Sequence, residues 1–192
     1  MTLFERFLTL PEVHITRDYP LVAHSTHFAL SRQATVEVRP IQGFEAEELQ
    51  NFFESVVMAL PCYSAEAKAG ELAKYTAHEL CDRIHDDLES VLVARVHDKL
   101  VGFCFSNKDD QAIWLAWLGV HPDYRRLGIG KLLLDRLEQR AKRLASHKIW
   151  CDSRTDNRAS AALLRRQGYE QICTLRRHWY RQDFFIWEKF VV

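Results

Sequence analysis

Val120-His121-Pro122-Asp123-Tyr124-Arg125-Arg126-Leu127-Gly128-Ile129-Gly130 is the stretch on which the reading of this chain turns. An apolar run, Ile113 to Val120, leads into it, and an amphipathic segment, roughly Gly130 to Ser146, leads out. Two arginines and two glycines therefore sit at a strand-to-helix junction. There the first N–H groups of the helix lack intrahelical partners and the helix dipole is positive. Such a junction receives phosphate. Gly128 and Gly130 remove side chains where a pyrophosphate must approach the main chain, and they accept positive φ. Arg125 and Arg126 offer permanently charged planar forks to phosphate oxygens, and Lys131 adds a point charge. The pattern Arg-x-x-Gly-x-Gly lacks the third glycine of the dinucleotide fingerprint and the Gly-Lys-Ser/Thr of a Walker loop. A polar loop that only caps a helix has the same local look, and context separates the two.

Outward from the loop, the apolar run Ile113 to Val120 reads as a central strand covered on both faces. In the helix that follows, Leu133, Leu137, Ala141 and Leu144 form the expected buried stripe. Upstream, Ala34 to Ile41 alternates as a strand. Phe44 to Leu60 reads as a helix ended by Pro61, and Ser64 to Asp86 as a second helix. Ser90 to His97 and Leu100 to Ser106 read as strands joined by a turn at Asp98-Lys99. Downstream come a strand His147 to Ser153 and a helix Ala159 to Gln167 stopped by Gly168. Two closing strands, Gln171 to Arg177 and Phe184 to Val192, flank a loop from His178 to Asp183. The order is strand, two helices, three strands, helix, strand, helix, two strands, which predicts a mixed α/β sheet with crossovers. The key loop falls at the carboxyl end of a central strand, where open α/β sheets bind ligands. Residues 1–34, broken by Pro11 and Pro20, read as an extension that packs on the domain or on a partner, or as a loose tail.

Composition limits the partners. At 192 residues the chain suits one domain with a full-sized core. Its 26 Lys+Arg balance 26 Asp+Glu, so no global field draws it to nucleic acid or to a membrane. No apolar run reaches the ~20 residues that span a bilayer, and Met1 to Leu10 does not form a signal peptide. Arg165, Arg166, Arg176, Arg177 and Arg181 make a local basic excess. We read it as a solvated face that also meets ligand phosphates, in preference to a nucleic-acid contact. The five cysteines, 62, 81, 104, 151 and 173, are odd in number and widely spaced. They read as reduced core thiols of a cytoplasmic protein. His78-Glu79 begins a metalloprotease-type helix, but Asp82 stands where the second histidine belongs, so no metal site is expected.

The arginine-glycine loop and this element order resemble the GNAT superfamily of acetyl-coenzyme A-dependent N-acetyltransferases. A second block, Asn157-Arg-Ala-Ser-Ala-Ala-Leu-Leu-Arg-Arg-Gln-Gly-Tyr169, adds to the resemblance, which runs from about Thr35 to Val192. The domain is accordingly 35–192, after the extension 1–34. The resemblance implies an α/β (α+β) fold, a mixed and mostly antiparallel central sheet with a splayed parallel strand pair and flanking helices. It also implies acetyl-CoA as co-substrate, with a pyrophosphate cradle made by Arg125, Arg126, Leu127, Gly128, Ile129, Gly130 and Lys131. The backbone of Leu118, Gly119 and Val120 would pair with the pantetheine arm. Asn157 would bond pantetheine or phosphate oxygens, or cap the helix at Arg158, or do both.

Within the superfamily the chain is most similar to RimI-like N-terminal acetyltransferases, where a carboxylate on the strand before the second block is the general base. Asp152 holds that position, and its bland alternative is a solvated strand-end carboxylate. Leu164 stands where those enzymes carry a tyrosine acid. A general acid contributes about 10²–10⁴-fold, but a thiol of pKa near ~8.5 leaves with little help. Tyr180 is the candidate replacement acid, or a residue lining the substrate. Trp114, Trp117, Trp179 and Tyr180 either line the acceptor pocket or belong to the core. The expected acceptor is a primary amine, either a peptide N-terminus or a small molecule, attacked directly in a ternary complex. The alternative is a coenzyme A-binding sensor or assembly module with reduced chemistry. Oligomeric state, a homodimer included, stays open.

Overall fold

The computed structural model describes residues 35–191, so the predicted extension 1–34 lies outside the described residues. The elements are β1 Val36–Pro40, α1 Ala46–Met58, α2 Ala65–Leu72, α3 Ala77–Asp86, β2 Val91–Val96, β3 Lys99–Asp109, β4 Ala112–Val120, α4 Ile129–Arg143, β5 Lys148–Arg154, α5 Arg158–Arg166, β6 Glu170–Leu175 and β7 Phe184–Phe190. The strands form one sheet in the order β1-β2-β3-β4-β5-β7-β6. Every neighbouring pair is antiparallel except β4 and β5, which run parallel.

Alternation along the strands sends side chains to two cores. Leu92 and Ala94 of β2 join Ile113, Leu115, Leu133, Leu137 and Ile149 beneath α4 and α5. Val91 and Val93 join Phe53, Tyr75, Phe103 and Phe105 beneath α1 to α3. The β4 strand, fourth of seven, is the central strand that its unbroken apolar run requires.

Four expectations need correction. The stretch Ser64 to Asp86 is two helices, α2 and α3. Thr76 breaks it: its backbone is extended (ψ 162°) and its hydroxyl accepts from Glu79 N–H, a cap that competes with helix continuation. Leu144 is 39% exposed at the end of α4, while Arg140 is fully buried on the inward face. Its guanidinium donates to Ser106 Oγ (2.8 Å) and pairs with Asp87, so a charge sits where an apolar stripe was expected. Only Cys104 and Cys151 are core thiols. Cys173 is exposed on the edge strand β6, Cys81 is exposed on α3, and Cys62 is intermediate in the turn after α1. The β3 strand runs three residues beyond Ser106, through charged positions, because β4 pairs with it up to Asp109↔Ala112.

The parallel pair carries the site. Pairing of β4 with β5 runs from Ala112↔Lys148 to Leu115↔Cys151 and stops there. On the other edge of β4 the register with β3 shifts, from Ser106↔Leu115 to Phe105↔Trp117, leaving Ala116 as a bulge. A bulge adds twist to its strand, and the strands separate from this residue onward. Trp117 to Val120 thus keep β3 on one edge and face a cleft with the other.

Candidate active site

The splay has two ends. At the first, β4 runs through Val120 into the quoted loop. His121 to Tyr124 forms a short 3-10 turn. Arg126 (φ 64°) and Gly128 (φ 81°) are both left-handed. Such a conformation costs roughly 1–2 kcal/mol at a non-glycine residue, and alternating handedness turns successive N–H groups toward one point. Gly128 is the N-cap of α4, which has no side-chain cap and no acidic residue in its first turn. The first N–H groups of α4 are thus left without a side-chain partner, the condition in which a helix start can take an anion. Gly130 lies against α5, where an added Cβ would come within 2.9 Å of Leu163.

The predicted cradle residues divide by position. Arg125 and Arg126 are exposed, and Arg125 Nε donates to Val120 O (3.1 Å). Lys131 is already paired with Asp135 (2.6 Å). Ile129 is a core residue and offers only its backbone. Leu118, Gly119 and Val120 lie on the splayed segment opposite Cys104, Phe103 and Gly102. Gly119 packs under Phe103, whose ring an added Cβ would meet at 2.3 Å. Asn157 Oδ1 accepts from Ser160 N–H (3.1 Å), the N-cap of α5.

At the other end, Asp152 follows the last residue of β5 that pairs with β4 and faces a cleft of about 240 Å³. Around it stand Tyr63, Glu71, Lys74, Trp117, Trp179 and Tyr180. Burial, and next the charge of Glu71, push the Asp152 carboxyl up to about 7. Glu71 accepts from Trp117 Nε1 (3.0 Å) and pairs with Lys74 (2.8 Å). Burial likewise pushes Tyr75 up to about 12.

Tyr180 also belongs to the cleft. Its hydroxyl lies over Gly70 of α2, where an added Cβ would stand 2.1 Å away. The loop that carries it is held by Asp183 Oδ1, which accepts from Arg177 N–H (2.7 Å). Arg177, Tyr180 and Arg181 are all left-handed, strain of the kind stored at functional sites. Trp114 and Trp117 wall the cleft from β4 and Trp179 from the loop, and Trp117 also packs on Phe53 of the core, so both readings hold for it.

Leu164 is 3% exposed and packs with Ala161 and Tyr169 in the core. Its side chain points away from the cleft, so nothing at this position reaches Asp152. Sequence reasoning missed Glu71, Lys74 and Tyr63. Nothing in a solvated-looking helix such as α2 distinguishes its inward carboxylate from its outward ones. Arg165, Arg166, Arg176, Arg177 and Arg181 are all exposed. Among the described residues there is no group of His, Cys, Asp and Glu fit for a metal ion, and no helix long and apolar enough to cross a membrane.

A seven-stranded sheet split at one parallel pair, with an anion-binding helix start at the split, defines a class of acyl-group transferases. Residues 56–169 match the family described as Acetyltransferase (GNAT) family. The chain belongs to that family. An acetyltransferase of Pectobacterium atrosepticum is 32% identical over 90 residues, 47% of this chain and 64% of its own length, so the match spans less than two thirds of that relative. The fold recurs in PaiA N-acetyltransferase from Thermoplasma acidophilum in complex with coenzyme A (TM-score 0.69, 22% identity, 81% of this chain and 99% of that one). It recurs also in ribosomal-protein-alanine N-acetyltransferase from Brucella melitensis (TM-score 0.65, 22% identity, 80% and 98%).

Proposed function

We propose that this chain moves an acetyl group from acetyl-CoA to a primary amine by direct attack, with residues from about Thr35 onward forming the transferase domain. The observation that carries the reading is the position of Asp152. A carboxyl held near 7 faces the cleft at the residue where β4 and β5 part, at the opposite side of the split from the anion-binding loop.

Acetyl-CoA supplies the activated acyl group and a thiolate that leaves readily. Its pyrophosphate is received by the N–H groups of Arg126 to Lys131 and by the Arg126 guanidinium. Leu118 to Val120 offer backbone groups to its pantetheine arm. Asn157, with Oδ1 committed to the helix cap, turns its amide nitrogen to the same arm. Asp152, directly or through a water, takes the proton that the amine loses on attack. The magnitudes favour an acceptor of low basicity. An α-amino group of pKa about 7.7–8.0 needs roughly 1 kcal/mol to be neutral at pH 7, whereas a lysine amine near ~10.4 needs about 4.6 kcal/mol. Peptide N-termini and small amines of low pKa therefore suit a base that is itself half-ionised at pH 7. Burial lowers the Lys74 ammonium, but its bond to Glu71 and, after it, the neighbouring Tyr180 raise it overall. This ties the phenol to the acceptor wall, where it lines substrate or protonates the leaving thiolate.

The test is coenzyme A release across a panel of amines and peptides. The proposal expects Arg126→Ala to raise KM for acetyl-CoA and Asp152→Asn to lower kcat. If both variants and Gly128→Trp turned over at the parent rate, the site assignment would be wrong. Tight acetyl-CoA binding with no turnover on any acceptor would favour a binding module instead.

A further inference from the structure

Arg154, the last residue of β5, is 2% exposed, and its Nε, Nη1 and Nη2 all lack a hydrogen-bond partner among the described residues. It lies two residues beyond Asp152, so the strand's alternation aims both side chains to the same face. The guanidinium carbon sits 4.1 Å from the centroid of the Tyr63 ring and 5.3 Å from that of Phe184. Both rings are walls of the acceptor cleft. The guanidinium carbon lies over both rings, and none of its nitrogens finds an acceptor in good hydrogen-bond geometry among the described residues. A buried charge without partners is strongly unfavourable, and here it stands one side-chain layer behind a substrate cleft. Tyr63, carried by the turn between α1 and α2 and packed on Trp117, is the side chain that stands between Arg154 and the cleft.

Resting on the acetyl-transfer reading above, we propose that the acceptor amine also bears a carboxylate, and that Arg154 receives it. The substrate class is thus an amino-carboxylate, such as a free amino acid. Three observations choose this ligand. The exposed need is for in-plane acceptors, which a planar carboxylate meets bidentately. The cleft, about 240 Å³, holds a small molecule. Charge also balances: Lys74 is already paired with Glu71, and when Asp152 takes the amine's proton it is neutral. Arg154 is then the unbalanced charge on this face, and the substrate's carboxylate offsets it. A polyamine would add positive charge there instead.

The experiment compares L-alanine and L-phenylalanine with their amides as acceptors, for the parent and Arg154→Met. The amide is the less basic amine, so intrinsic reactivity runs against the proposal. The expected parent ratio of kcat/KM, acid over amide, is at least tenfold, falling to near one in Arg154→Met. A parent ratio at or below one, or a ratio unchanged in the variant, overturns the proposal. A second arm needs no turnover. Measured against coenzyme A alone, which raises the Tm of both proteins, adding N-acetyl-L-phenylalanine should give a further rise in the parent but not in the variant, and adding N-acetylphenylalaninamide should give none in either. Equal further shifts in both proteins overturn the proposal. If no amine of either kind releases coenzyme A, the acetyl-transfer reading falls, and the melting arm alone decides Arg154. Should Arg154→Met fail to fold, Arg154→Lys keeps the charge and loses the fork, and its ratio is expected to fall at least threefold.

Discussion

Asp152→Asn should make this protein slower and more stable, and the two effects share one cause. In the folded chain the carboxyl is pushed from 3.8 to about 7, by burial first and by Glu71 second. A shift of roughly three pKa units is worth about 4 kcal/mol at ~1.36 per unit. The folded form holds this proton more tightly than the unfolded one. Below about pH 4 both states are protonated and no cost appears. As pH rises toward about 7 the unfolded chain alone releases its proton, and stability falls until the folded group ionises. Asparagine removes that cost. Denaturant unfolding at pH 8 should find Asp152→Asn more stable by up to about 4 kcal/mol, with the advantage shrinking to near zero by pH 4. Activity moves the opposite way. Loss of a general base lowers kcat by about 10²–10⁴-fold. The parent's kcat/KM should show an inflection near pH 7 that is missing in the variant. An acceptor amine's own ionisation appears in both profiles, so their difference isolates Asp152. Equal stability of the two proteins at pH 8, together with an inflection that survives the substitution, would refute the reasoning.

Three further outcomes follow from the same contacts. Leu164→Tyr puts a phenol into a core position, so it should destabilise by about 1–3 kcal/mol in thermal unfolding and leave kcat unimproved, a rise in kcat being the contrary result. Gly128→Val places a β-branched residue at φ 81° on the N-cap of α4. It should raise KM for acetyl-CoA at least tenfold while costing about 1–2 kcal/mol in denaturant unfolding. Glu45 accepts from Arg39 (2.8 Å at both oxygens) and from Gln42 N–H, and these partners hold its carboxyl down at about 2. Its depressed value stabilises the fold by roughly 3 kcal/mol above about pH 4.5, lost as pH falls toward about 2. Urea unfolding of Glu45→Gln should therefore differ from the parent at pH 7 and converge with it near pH 2.

The loop proposed to take the pyrophosphate is legible in the chain because it is local. Strand, turn, left-handed glycine and helix start follow one another within twenty residues, and each depends on its own backbone conformation. Asp152 was legible only by its distance from Asn157. That spacing says which strand carries it, and nothing about what surrounds it. The expected tyrosine acid was sought at Leu164, and the packing of α5 turns that position into the core.

Sequence by itself therefore determined the order of the strands, the crossover helices α4 and α5, the central strand and the loop from Val120 to Gly130, since each is written in nearest-neighbour periodicity and turn chemistry. Tertiary structure alone decided the acceptor end. Glu71 comes from α2, Lys74 from the turn after it, Tyr63 from the turn before it, Tyr180 from a strained loop and Asp152 and Arg154 from β5, and they meet where the bulge at Ala116 and the end of the β4–β5 pairing open the sheet. A carboxylate takes its pKa, and a guanidinium its lack of partners, from neighbours brought close by packing, so neither property is carried by the residue alone.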